Sequence, residues 1–77
     1  MKTLYQLLLQ SKYYLKHYYS EKAFTFAEDS GEWSKQFSVS KYGKKYVVDG
    51  FEGTRNCIRT FKSEFDTYKE VIAYLNI

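Results

Sequence analysis

A chain of 77 residues has room for one domain, spanning 1–77, and a domain of that size buries only roughly 60% of the surface its unfolded form exposes. Hydrophobic residues make up 44% of the chain and aromatics 21%, including nine Tyr and six Phe; at a net charge of only +3 this favours a packed core over disorder. The lone Cys57 excludes an internal disulfide framework and a multi-cysteine metal site, and no apolar run approaches the roughly 18 residues of a membrane span.

The first element is read from period. Leu4, Leu7, Leu8, Ser11, Tyr14, Leu15 and Tyr18 recur at intervals of three and four, while Lys2, Gln6, Gln10, Tyr13 and His17 form the opposite stripe. This spacing predicts an amphipathic helix of about five turns from Thr3 to about Tyr19. Phe24 and Phe26 alternate with Thr25 and Ala27, as in a half-buried strand, and Asp29-Ser30-Gly31 supplies a turn. Trp33, Phe37 and Val39 then face Ser34, Gln36, Ser38 and Ser40 across a second strand. Lys41-Tyr42-Gly43-Lys44 reads as a hairpin loop leading into a third strand with Tyr46 and Val48 on its apolar side. Gly50 and Gly53 bracket a further turn, and a fourth strand is expected from Arg55 to Phe61. Its buried face is left open, since Ile58 suggests one side and Cys57 with Phe61 the other. Thr67 and Glu70 fit a capping box, followed by Tyr68, Val71, Ile72 and Leu75 at helical spacing.

The assembled expectation is an α+β domain in two layers, α-β-β-β-β-α. An antiparallel meander of about four strands is covered on its Phe/Val/Tyr face by both helices, and its Ser/Gln face is left open. The expected core is Leu4, Leu8, Leu15, Phe24, Phe26, Phe37, Val39, Tyr46, Val48, Ile72 and Leu75.

The inventory for catalysis is thin. His17 is the sole histidine and lies on the polar stripe of the expected first helix near Lys16, where an exposed helical histidine is the plain reading. Cys57 has Arg55 and Arg59 two residues to either side but no evident base. Glu28 with Asp29 and Glu64 with Asp66 fall at a turn and a helix start, where carboxylates are solvated or favour the helix N-terminus. No phosphate loop or metal-ligand spacing occurs, so the chain is read as a non-enzyme without metal or cofactor.

Two binding classes remain. The hairpin with Lys41, Tyr42, Lys44, Lys45 and Tyr46 combines ammonium groups with rings that could stack on unpaired bases. The helix–meander–helix order loosely resembles the double-stranded-RNA-binding domain. That family, however, has three strands and a Lys-rich start to its last helix, where this chain has only Lys69 beside Glu70. Nucleic-acid binding through this hairpin is therefore the alternative reading. The leading one is protein binding, because nine tyrosines exceed what so small a core needs, and Tyr and Arg concentrate energy at interfaces. Tyr13, Tyr19 and Tyr42 are expected to be exposed. With Arg55, Arg59 and the acidic Glu28, Asp29 and Glu32 they form the candidate contact set. In size and make-up the chain resembles the small inhibitors encoded by phages and mobile elements, including anti-CRISPR proteins. That resemblance implies a stoichiometric blocker covering a site on a larger protein or protein–nucleic acid complex. The expected setting is cytoplasmic and away from membranes, for the chain shows no signal-peptide layout, and the surface leaves room for self-association.

Overall fold

The computed structural model describes residues 2–77. The elements run α1 (Lys2–Leu9), β1 (Tyr14–Ser20), β2 (Ala23–Ser30), β3 (Trp33–Tyr42), β4 (Lys45–Thr54), β5 (Cys57–Phe65) and α2 (Tyr68–Leu75). The α+β class and the two terminal helices match the sequence reading. The sheet, however, has five strands rather than about four, in the order β1-β2-β3-β4-β5 with every neighbouring pair antiparallel.

The extra strand comes from the expected long helix, which stops at Leu9. Its end is set by Ser11, whose hydroxyl donates to the Leu8 carbonyl (2.6 Å) and accepts from the Tyr13 amide (3.1 Å). A serine that bonds backbone in this way competes with helix continuation. The tyrosine-rich segment beyond it pairs with β2 instead, as aromatic residues favour an extended, half-buried strand.

Four hairpins connect the strands through two-residue loops at 21–22, 31–32, 43–44 and 55–56. Gly31 and Gly43 each open their loop at a φ near +60°, the backbone a Gly-X hairpin turn requires. Gly50 and Gly53 do not bracket a turn; both lie inside β4. Gly50 sits opposite Phe37, where a Cβ would come within 2.0 Å of the Gln36 carbonyl oxygen. The absence of a side chain there is what lets β3 and β4 approach each other.

One face of the sheet carries the core. Phe24, Phe26, Phe37, Val39, Tyr46 and Val48 meet Leu4 and Leu8 from α1 and Val71 and Leu75 from α2. Leu15 and Ile72, expected in the core, are partly buried at its margin, and Val71 takes the inner position on α2. The second helix begins at the expected cap: the Thr67 hydroxyl accepts from the Glu70 amide (3.3 Å), while the Glu70 carboxylate accepts from that hydroxyl (3.1 Å) instead of closing the reciprocal half of the box. It ends with Asn76 in the left-handed conformation, while the Asn76 and Ile77 amides donate to the Ala73 and Ile72 carbonyls. This double closure terminates the helix without a glycine.

Tyr13 corrects the sequence reading. Expected at the surface, it is 4% exposed, packs edge-on against Phe37 at 4.9 Å, and donates its hydroxyl to the Leu75 carbonyl (3.3 Å). Losing the helical phase at Ser11 turns this residue inward. Tyr13→Ala and Phe37→Ala should therefore each cost about 3–5 kcal/mol in chemical denaturation. Gly50→Ala adds one methyl group against backbone and should cost about 1–3 kcal/mol or more. Tyr19→Ala should leave the denaturation midpoint within error.

Candidate protein-binding surface

Among the described residues, none forms a second layer on the face opposite the helices. Register places Ala23, Thr25 and Ala27 of β2 on it beside Ser34, Gln36, Ser38 and Ser40 of β3. These small side chains form a low strip, with Thr25 only 6% exposed and sharing a 2.9 Å hydroxyl hydrogen bond with Ser38. Larger groups flank the strip. On β1 stand Tyr14, His17 and Tyr19, the last two with ring centroids 4.1 Å apart. On the far side stand Val47 and Phe51 of β4 and Ile58 of β5. Tyr19 is 68% exposed and Ile58 63%, and Tyr14 and Phe51 are also exposed.

Hydrogen bonding holds one of these rings in place. The Tyr14 hydroxyl donates to Oδ2 of Asp29 at 2.6 Å, across to the end of the adjacent strand. This bond to a carboxylate raises the Tyr14 pKa above its ordinary value, because ionising the phenol would both break the bond and set two anions together. Charges on the face are mixed: Lys45 and Lys62 stand with Asp29, Asp49 and Glu64. Such a balance does not describe a track for phosphates.

The sequence-derived contact residues do not converge on one patch. Tyr19 and Asp29 lie on the open face. Glu28 and Arg59 lie on the opposite face, at the margin of the helix layer, where Arg59 lines a hollow with Tyr74 of α2. There Glu28 stands 3.7 Å from Lys12, and Arg59 donates to Glu52 at 2.6 Å. The Glu52 carboxylate raises the Arg59 pKa further. Glu32 and Arg55 sit at neighbouring hairpin turns and line a common hollow with Gly31, Thr54 and Asn56. Tyr42 projects at the opposite end of the sheet, also 68% exposed. Tyr13 is in the core.

The basic hairpin is largely engaged with the chain itself. Lys41 lies over the Tyr46 ring at 5.1 Å, and Lys45 is paired with Asp66 at 2.5 Å, which raises the Lys45 pKa. Lys44 and Tyr42 are left at the tip. Cys57 is exposed on the helix-side face, which it shares with Arg59 and Phe61, while Ile58 turns to the open face. This resolves the register that the sequence left ambiguous.

Tyr14, Phe51 and Ile58 escaped the sequence reading. The helical period puts Tyr14 on a buried stripe, and Phe51 falls within the turn expected between Gly50 and Gly53. Against known protein families, curated proteins and solved structures the chain finds no match, so its functional reading rests on the surfaces described above. Asp29→Asn removes the carboxylate that Tyr14 faces. It should move the phenol's ionisation back toward the ordinary tyrosine range, followed by NMR titration of the ring resonances, with no change elsewhere in the sheet.

Proposed function

We propose that the chain is a small non-enzymatic protein-binding module that occupies a surface on a larger partner, as a stoichiometric inhibitor encoded by a phage or mobile element would. The observation that carries this reading is the uncovered sheet face with exposed Tyr14, Tyr19, Phe51 and Ile58 around a low polar strip. Five strands spaced about 4.8 Å apart, each rising about 3.3 Å per residue, give that face roughly 700 Å². A standard interface buries about 800 Å² on each partner, so the open face is close to the size of one. Tyrosines supply broad, rigid contact area with a polar tip and lose little rotamer freedom on binding. The mixed charge around them suits a protein surface better than a nucleic-acid backbone. The tie between Tyr14 and Asp29 adds preorganisation, which reduces the ordering cost of association. No helix among the described residues is long and apolar enough to cross a membrane, and the reading places the protein in the cytoplasm.

The test starts from a partner captured from the native cell with and without nuclease, followed by titration of the purified protein against it. Inhibition should saturate at a fixed stoichiometry. Tyr19→Ala or Ile58→Ala should weaken binding by about 2 kcal/mol or more at a true hot spot, roughly thirtyfold, without lowering the melting temperature. Progressive modification of the partner by substoichiometric amounts would identify an enzyme instead. A complex that disappears with nuclease, and whose affinity falls steeply with salt, would identify a nucleic-acid binder.

A further inference from the structure

The two edges of the sheet are built differently. At one edge, β1 shifts register twice against β2, between Leu15 and His17 and again between Tyr18 and Ser20, with Lys16 at the first shift. Bulges and a lysine are the usual means of blunting an edge against further pairing. At the other edge, β5 is paired with β4 at every residue from Cys57 to Phe65 without a shift. Along its outer side alternate residues of this nine-residue strand therefore present free backbone donors and acceptors, with no bulge to interrupt them. Beside that row, on the helix side, lies an apolar margin. Tyr74 of α2 stands 5.1 Å from Phe65 and 6.4 Å from Phe61, and it is 41% exposed.

We propose that β5 is a self-pairing edge: a second copy of this chain adds its own β5 antiparallel, about a two-fold axis at Ser63, to make one continuous ten-stranded sheet. The occupant is chosen by complementarity in the sequence of the strand. Residues directly opposite in an antiparallel pair share a face, so the register is constrained to keep faces matched. With Ser63 opposite Ser63, Lys62 of each copy meets Glu64 of the other on the open face. On the helix side, Phe61 of each copy meets Phe65 of the other beside Tyr74. Both relations occur twice, as an isologous contact demands. Neighbouring registers lose this match. Centring on Lys62 sets lysine against lysine, centring on Glu64 sets glutamate against glutamate, and centring on Phe61 brings Ile58 opposite Glu64. Arg59 lies outside the central pairs and is already drawn onto Glu52 within its own chain.

This inference does not depend on the proposed partner and is tested on the purified full chain alone. Sedimentation equilibrium should show a dimer that dissociates on dilution. Within its own chain Glu64 faces Val47 with Lys45 as a nearby charge, whereas Lys62 faces Asp49 directly, so the two variants disturb different intrachain neighbours. Either Glu64→Lys or Lys62→Glu creates two like-charge contacts across the axis and should weaken dimerisation about tenfold or more. Mixing the two variants restores opposite charges at all four positions, so a heterodimer should form where each variant alone is mostly monomeric. Circular dichroism and melting curves check that each variant is folded. Independently, Ser63→Cys in a Cys57→Ser background brings two thiols together at the axis, where facing Cα atoms lie about 4.5–5.5 Å apart. Mild oxidation should then give a covalent dimer. A monomer over the whole concentration range, a dimer indifferent to both charge variants, or no cross-linking by Ser63→Cys would each overturn the proposal.

Discussion

Two eight-residue helices are too short to persist in water by themselves, so both depend on docking to a single sheet face. That requirement organises the molecule. It places Leu4 and Leu8 over one part of the sheet and Val71 and Leu75 over another, with Phe26 and Phe37 between them. Tyr13 closes the gap by setting its ring against Phe37 and its hydroxyl on the last turn of α2. Lys35 covers the outer side of the same cluster, with its ammonium 5.5–5.9 Å from the rings of Tyr13, Phe37 and Phe61. A lysine stem can lie along apolar surface while its charge faces π-electrons and water. The reverse face takes no part in holding the helices, and its exposed side chains, among them Tyr19, Phe51 and Ile58, are left to make other contacts.

The central strands were legible because each keeps a strict two-residue alternation: Phe24/Phe26, Phe37/Val39 and Tyr46/Val48 all face inward as their spacing implies. Thr67 and Glu70 likewise announced the start of the last helix. The first strand was illegible for a specific reason. Its register shifts bring Leu15 and Tyr18, three residues apart, to one face, and Tyr14 and His17 to the other. A bulged strand thereby imitates the three-residue step of a helix, and here it followed directly on a true helix. The competing signal was composition, since Tyr13, Tyr14, Tyr18 and Tyr19 fall within seven residues and favour extended backbone.

The candidate surface was harder to read than the core. Tyr19 and Asp29 emerged from local sequence, one on a polar stripe and the other near a turn. Phe51 and Ile58 acquire meaning only once β4 and β5 are in register, because a shift of one residue exchanges the two faces. Arg59 and Glu52 were similarly invisible as a pair until the hairpin folded back over the six residues between them. The two faces of β5 thus carry different chemistry, with an aromatic margin beneath and charged side chains above.

The meander has a kinetic corollary. Each strand pairs with the one that follows it through a two-residue loop, so nearly all of the sheet is made by contacts close in sequence. Such low contact order allows rapid zippering, hairpin upon hairpin, without a costly long loop to close. The bond from Tyr13 to Leu75 is different, joining groups 62 residues apart. It lies where the entry to β1 meets the end of α2, on a seam between the two chain termini. Opening that seam would release α2 and wet the core while leaving the strand ladder intact. Hydrogen exchange in α2 would then report a local opening with its own free energy, below that of the central strands.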